Sequence, residues 1–386
     1  MVLRPRVKKR HEPFRFDDGT VRIGGEIYGL ATEIIDPTGG AWTALTLMDG
    51  TRTPADIADA VCRRLPGLSG PEASRIVAAL IASGHVEDAS ATAPEELTER
   101  ERERYGRSQA FFHQVDLTPR AHGWEAQLRL KAARVVVLGL GGTGSHAAWA
   151  LAASGVGRIH CVDADVVELS NLNRQVLYTE DDLGHAKVDT TVEALRRVNS
   201  DIQVTGERRL ISSEADLLSV VRGQDVLALC ADEPRGHGIR IWANRICARA
   251  GVPWVGGGYN GPLVTAGTFA PGRGACYECL TEGEARRRRP GLPVDLGGPG
   301  VVAASAGISG NLVAHAVVSL ITGVPEPAVG TLVGLNLIAP DHHVLVRHPP
   351  RPGCPVCGTP VVPATPTPPA APAAPAATYA APPAPE

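Results

Sequence analysis

The spacing of apolar and polar positions changes near residue 130. Beyond it, Arg134-Val135-Val136-Val137-Leu138-Gly139 is an unbroken apolar run ending on glycine, the pattern of a strand buried on both faces. Ser145 to Ser154 reads as a helix, and Arg158-Ile159-His160-Cys161-Val162-Asp163 as a second strand that ends on an acid. Further on, Asp225-Val226-Leu227-Ala228-Leu229-Cys230 is another apolar strand, closed two residues later by Asp232. Leu332 to Leu337 and His343 to Val346 read as C-terminal strands. Val301 to Leu320 is apolar but interrupted by Ser305, Ser309, Asn311 and His315, which predicts a buried helix rather than a membrane span. Strands alternating with helices predict an α/β fold built on a doubly wound sheet.

The first 90 residues have a different pattern. Thr20-Val21-Arg22-Ile23 and Glu26-Ile27-Tyr28-Gly29-Leu30 flank Gly24-Gly25 and predict a hairpin. Helices are expected next at Ala41 to Met48, Pro54 to Leu65 and Pro71 to Ala82, the last two opening on proline. His85 to Asp88 then closes a wing, so residues 1–90 are expected to form a small winged helix-turn-helix domain. Residues 91–104 alternate charges with almost nothing apolar and read as a solvated helical linker. Residues 105–359 make the α/β domain. Residues 360–386 hold ten prolines in 27 positions, among alanine and threonine, and are expected to be a disordered tail.

Composition narrows the function. A chain of 386 residues fits two or three domains, and 44% hydrophobic with 20% charged residues fits a soluble globular protein. The net charge of −3 gives no global pull toward nucleic acid or anionic lipid. Residues 1–90 balance 11 Lys/Arg against 12 Asp/Glu, so the winged shape is expected to dock a peptide rather than DNA. The N-terminus is basic, with no apolar segment behind it, so no secretory signal and no membrane anchor are expected and the location is taken as cytoplasmic. Basic charge is nearly all arginine, 34 against four lysines, which makes Lys187 informative.

The chemistry begins at Gly139-Leu140-Gly141-Gly142-Thr143-Gly144, placed between a strand and a helix, with Asp163 lying 24 residues after Gly139. In a Rossmann-like fold, glycines let backbone N–H groups approach phosphate at a helix N-terminus while the acid accepts from a ribose hydroxyl. Cys276, Cys279, Cys354 and Cys357 form two CxxC pairs separated by 74 residues, ligand spacing for a structural zinc site; two disulfides are the alternative, disfavoured in a cytoplasmic chain. Cys62, Cys161, Cys230 and Cys247 lie singly in apolar surroundings and read as core residues.

The residues beyond Asp163 do not form a dehydrogenase pattern. Asp163, Asp165, Glu168, Ser170, Asn171, Asn173, Arg174 and Gln175, with Gly184-His185-Ala186-Lys187 beyond, resemble the ubiquitin-activating-like superfamily of ThiF, MoeB and HesA adenylating enzymes. The resemblance spans residues 104 to 357 and includes the lead-in Arg104-Tyr105-Gly106-Arg107-Ser108-Gln109. It implies that Gly139, Gly141, Gly142, Gly144, Asp163, Ser170, Asn171 and Asn173 hold ATP. Arg174 and Lys187 would sit over the triphosphate, and Asp232 would bind Mg2+. It further implies a homodimer in which Arg107 crosses into the partner's site. The implied reaction is attack of a carboxylate on the α-phosphate of MgATP, giving an acyl-adenylate and pyrophosphate. Glu233-Pro234 departs from the superfamily pattern and puts Arg240's role in doubt. Leu280 to Gly353 contains no cysteine, so a thioester relay is not expected. That interval instead carries Arg286 to Arg289 and the glycine-rich Leu296 to Gly300, read as a solvated loop or a cover for the substrate C-terminus.

The N-terminal module resembles PqqD-like recognition elements of enzymes that mature ribosomally made peptides, where a leader peptide adds a strand beside the hairpin. Three functions stay open. The chain adenylates a precursor-peptide carboxylate; or it presents the precursor to a separate cyclodehydratase without adenylating it; or it activates a small sulfur-carrier protein for thiamin or molybdopterin synthesis.

Overall fold

The computed structural model describes residues 3–232, 238–291 and 300–358. The expectations for Glu233-Pro234, for Leu296 to Pro299 and for the tail from Pro360 lie outside those residues. In the N-terminal part, β1 (Pro5–Val7) precedes β2 (Phe14–Arg15), β3 (Val21–Ile23) and β4 (Thr32–Ile34), which form an antiparallel sheet in the order β2-β3-β4. Glu26 to Leu30 is not a strand: the Leu30 and Ala31 N–H groups both donate to the Ile27 carbonyl at 3.0 Å, curling the segment, and Thr32–Ile34 takes its place beside β3. Helices α1 (Gly40–Leu47), α2 (Pro54–Arg64) and α3 (Gly70–Ala82) come next, close to their expected positions. Capping boxes Thr53/Asp56 and Ser69/Glu72 start α2 and α3. Val21, Ile23, Ile57, Val61 and Val77 bury the face that joins sheet to helices. Strand β5 (Val86–Asp88) packs on α3 and pairs antiparallel with β1, not with the hairpin.

The charged stretch is helical, but α4 (Glu99–Val115) starts later and runs further than the expected linker. Nor is it solvated all round. Glu101 is 5% and Tyr105 3% exposed. Glu101 pairs with Lys131 at 2.8 Å, while Arg100 and Arg104 reach Asp201 at 3.2 and 3.3 Å. The alternating charges have partners more than 25 residues away in the chain, which local pattern does not reveal.

After α5 (Glu125–Ala132) come β6 (Arg134–Leu138), α6 (Gly142–Ala153), β7 (Arg158–Asp163), α7 (Lys187–Val198) and β8 (Gln203–Arg208). The chain continues through α8 (Glu214–Val221), β9 (Val226–Leu229), α9 (Gly238–Ala250), β10 (Trp254–Asn260), β11 (Leu263–Phe269) and α10 (Tyr277–Arg287). It closes with α11 (Ala303–Thr322), β12 (Thr331–Asn336) and β13 (His343–Arg347). Among the described residues the strands form one sheet ordered β13-β12-β11-β10-β9-β6-β7-β8. β8, β7, β6, β9 and β10 are parallel, and β11 to β13 extend the sheet antiparallel. One face is covered by α5, α6, α7 and α11 around Leu130, Leu151, Leu195 and Val313. The other is covered by α8, α9 and α10 around Leu217, Ile246 and Leu280. α11 is the one described helix long and apolar enough to cross a membrane, and it packs on α6 and β10 with Ala306, Val313 and Val317 buried. Strand order reverses between β6 and β9, the place where doubly wound sheets open a crevice beyond their strand ends.

Candidate functional site

The crevice is built from the end of β6. Gly139 adopts φ +88°, and a β-carbon there would lie 2.6 Å from the Ala231 nitrogen, so only glycine lets β6 turn this close to β9. Asp163, at the end of β7, braces the turn: Oδ2 accepts from the Leu140 N–H at 2.6 Å and Oδ1 from the Asp165 N–H at 2.8 Å. Tyr178 donates to the Leu140 carbonyl at 3.0 Å and is pushed far above its usual range by burial. A rigid turn therefore delivers the chain to the N-terminus of α6, whose first N–H groups lack helical acceptors and suit an anion.

A cleft of about 690 Å³ opens over this terminus. Gly139, Gly141, Gly142, Asp163, Asn171, Arg174, Lys187 and Asp232 all line it, as expected from the sequence. Lys187, the first residue of α7, is buried, and its Nζ lies 2.9 Å from Asp165 Oδ2. Arg174 Nη1 donates to the Ser170 carbonyl at 2.7 Å and to Asn173 Oδ1 at 2.9 Å. Arg174 Nε and Gln175 Oε1 are buried without a partner among the described residues. Unpaired buried polar atoms beside a polar cleft fit a missing polar ligand. Cys230, at the cleft wall, is pushed up to about 12 by burial and offers no thiolate nucleophile near neutral pH.

Three expected ligand contacts stand elsewhere. Gly144 faces away from the cleft; a β-carbon there would lie 1.8 Å from the Gly139 carbonyl oxygen, so it packs α6 against the turn. Ser170 and Asn173 are exposed and hold the Arg174 guanidinium instead of lining the cleft. Arg107 is exposed on α4, outside this chain's cleft. Conversely, Gln175, Arg208, Gly258 and Tyr259 line the cleft although the sequence singled out no ligand role for them. Arg240 lines it too and hydrogen-bonds Tyr277. A motif gathers residues near the glycine turn in sequence; Tyr259 arrives from β10, two strands away in the sheet.

The four paired cysteines also meet. Their sulfurs lie within 4.8 Å of one another, with Cys276 to Cys354 at 3.7 Å and Cys279 to Cys357 at 3.5 Å, and none is in a disulfide. Tetrahedral zinc with bonds near 2.3 Å needs sulfurs about 3.8 Å apart, so the donor set is compatible with zinc. Burial raises the Cys354 thiol, but the backbone N–H groups of Cys357 and Val356 more than offset it and leave Cys354 at about 6. Of the arginine run, Arg286 and Arg287 belong to α10, where Arg286 pairs with Glu282.

A glycine turn at a sheet switch point, braced by an acid and faced by lysine and arginine, is the geometry of an α/β fold that receives a phosphate-bearing ligand. A profile of the ThiF family matches residues 113–356, and the chain belongs to that family. Bovine adenylyltransferase and sulfurtransferase MOCS3 is 36% identical over 240 residues, 61% of this chain and 50% of that protein. The chain thus spans about half the length of the first curated relatives it matches. Escherichia coli molybdopterin-synthase adenylyltransferase is 32% identical over 268 residues, 68% of this chain and 99% of that one. Among solved structures, E. coli MccB with AMPCPP and MccA superposes with TM-score 0.67 at 25% identity, covering 92% of this chain and 99% of MccB. PaaA superposes with TM-score 0.63 at 26% identity, covering 88% and 99%.

Proposed function

We propose that this chain is a MgATP-dependent adenylyltransferase that activates a carboxylate of a ribosomally made precursor peptide. One observation carries the peptide part of the reading. The structural likeness to MccB and PaaA extends over 92% and 88% of the chain, N-terminal part included, whereas the molybdopterin-synthase adenylyltransferase matches only 68%. MccB has been crystallised with MccA and AMPCPP together, a nucleotide analogue beside a second partner. Residues 1–90 would then be the winged, PqqD-like leader-docking module. The three-stranded sheet and the exposed Phe14, Tyr28 and Ile35 beside it offer an apolar, strand-adding surface.

The adenylation part rests on the cleft. The α6 N-terminus and glycine turn would hold the phosphates, and Asp163 keeps lone pairs for a ribose hydroxyl beyond the two backbone bonds it accepts. Arg174 and Lys187 would neutralise the departing pyrophosphate, with Lys187 exchanging Asp165 for phosphate. Asp232 would hold Mg2+, which aligns the phosphates. A carboxylate oxygen bonds to the α-phosphorus as the bond to the bridging oxygen breaks, and no side-chain nucleophile is required. The cysteine cluster would hold one structural zinc ion.

Calorimetric titration of MgATP into the full-length protein, beside Lys187→Ala and Asp232→Ala, tests this. Micromolar binding by the parent, weakened at least tenfold in both variants, is expected. No binding even with precursor peptide present would overturn adenylation and leave the precursor-presenting scaffold. The likeness to the molybdopterin-synthase enzyme favours a second reading, activation of a small sulfur-carrier protein. ATP–pyrophosphate exchange driven by a carrier ending in Gly-Gly, and not by a precursor peptide, would establish it instead.

A further inference from the structure

Outside the cleft, the N-terminal module and the α/β domain enclose a second cavity of about 350 Å³. One wall is β5 with the end of β1. The other is the face of α4 that carries Gln109, Phe112, His113 and Asp116, closed by the loop into α5 with Trp124. Lys8 lines the cavity and is 6% exposed. Its Nζ donates to the Asp116 carbonyl at the end of α4 at 2.6 Å, and among the described residues it has no ion-pair partner. The two carboxylates whose charges it feels are engaged elsewhere: Glu87 with Arg6 and with His113, each at 2.8 Å, and Asp116 with Arg120 at 2.7 Å. An ammonium has three donors, and this one uses one. Lysines are seldom buried without a counter-charge, so an unpaired one on a cavity wall suits an anionic group.

A second observation comes from the main chain. The Lys8 N–H donates to the His85 carbonyl and the Ala89 N–H to the Arg4 carbonyl, both at 2.9 Å. Bonded pairs alternate along an antiparallel ladder, so Val86 and Asp88 turn their N–H and C=O groups away from β1. No strand pairs with β5 on that outer edge among the described residues. The Asp88 carbonyl takes the Ala91 N–H at 3.1 Å, whereas the Val86 N–H and C=O have no partner among the described residues. Val86 is 6% exposed and its side chain lies in the module's core, so its main chain is what it shows the cavity. Buried main-chain groups are rarely left unpaired. A free carboxylate satisfies the N–H but not the C=O, whereas an added strand satisfies both. We infer that this cavity docks an extended peptide segment, which adds to the outer edge of β5 and turns an acidic side chain to Lys8. The site is separate from the hairpin sheet and from the nucleotide cleft, and it does not depend on adenylation.

The test uses the full-length protein without nucleotide and follows tryptophan fluorescence, with Trp124→Phe showing where the signal arises. The probes are the blocked tripeptide acetyl-Val-Glu-Val-amide, its Gln counterpart, and butyrate, a carboxylate without a main chain. The parent is expected to bind the Glu peptide at millimolar concentration, about tenfold more tightly than the Gln peptide, the size of one hydrogen bond between charged groups. Butyrate should bind more weakly than the Glu peptide. Lys8→Met should bind the two peptides alike, a change of ratio that loss of its bond to the end of α4 does not produce. Ala93→Trp, on the exposed linker at the cavity wall, should weaken both peptides at unchanged Tm, so the inference stays testable if Lys8→Met does not fold. Equal affinity of the parent for the two peptides would overturn the pairing with Lys8, and butyrate binding as tightly as the Glu peptide would overturn the added strand. A signal that survives in Trp124→Phe, unweakened binding by Ala93→Trp, or no binding at about 10 mM peptide would overturn the site itself.

Discussion

At the residue scale, a buried histidine pair decides how the protein responds to acid. His11 and His85 face each other with Nδ1 to Nδ1 at 2.9 Å; His11 Nε2 meets the Gln114 carbonyl at 2.8 Å and His85 Nε2 meets Thr32 Oγ1 at 3.2 Å. One Nδ1 must donate and the other accept, so the pair tolerates no second proton. Burial, with the nearby His11 and Lys8 charges, lowers His85 to about 4, and burial lowers His11 as well. A base depressed on folding binds fewer protons folded than unfolded, so stability is full above pH about 6.5 and falls as pH drops toward 4. Thermal melts across that window should show a declining Tm for the parent and a shallower decline for His85→Gln; equal slopes would exclude the pair as the cause. Gly144→Ala, which sets a methyl against the Gly139 carbonyl, should cost about 3 kcal/mol in denaturant unfolding. Glycines, lysine and paired cysteines are legible in the chain because few roles fit those residue types at those spacings. Gln175, Arg208 and Tyr259 are not, because common polar residues acquire meaning only from what stands opposite them.

Element by element, helices whose ends carry their own signals can be read from the chain. The boxes at Thr53/Asp56 and Ser69/Glu72 place α2 and α3 by bonds within four residues. Helix α4 shows where such reading stops. Thr98 caps it through the Glu101 N–H, and Glu101 accepts the Thr98 N–H and Lys131 Nζ in return. Glu101→Ala removes the cap's acceptor and the carboxylate partner of Lys131, which keeps the Glu96 carbonyl at 2.6 Å, and should cost about 1.5 kcal/mol, whereas Glu99→Ala on the exposed face should cost under about 0.5 kcal/mol. Comparable losses for both would mean that α4 is the solvated segment its charge pattern suggests. The hairpin expectation failed for a related reason: glycines mark that the chain turns between residues 24 and 29, but the strand pairing after the turn is selected by which apolar face, here Ile34 rather than Ile27, meets the helices.

At the scale of the whole molecule, the cysteine cluster ties the N-terminal turn of α10 to the segment after β13. Purified protein is expected to carry about one equivalent of zinc, and a chelator or Cys354→Ser should lower Tm and leave a broader transition. Metal-free protein melting at the same temperature would dismiss a structural role. In the proposed homodimer, the exposed Arg107 would complete the other subunit's site. Inactive Arg107→Ala and Lys187→Ala proteins, unfolded together and refolded, should then recover about a quarter of the sites, since half the dimers are mixed and each mixed dimer has one intact site. No recovery would exclude action of Arg107 across the dimer. The alternating strands and helices, the glycine turn with its acid, and the paired cysteines were determined by sequence alone, because each rests on backbone geometry and ligand chemistry that act within a few residues. The burial of α4, the partner of β5, the retreat of Gly144, Ser170 and Asn173 from the cleft, and the arrival of Tyr259 over α6 were decided only by tertiary structure. They depend on which distant strands the sheet brings side by side, and no local pattern encodes that distance.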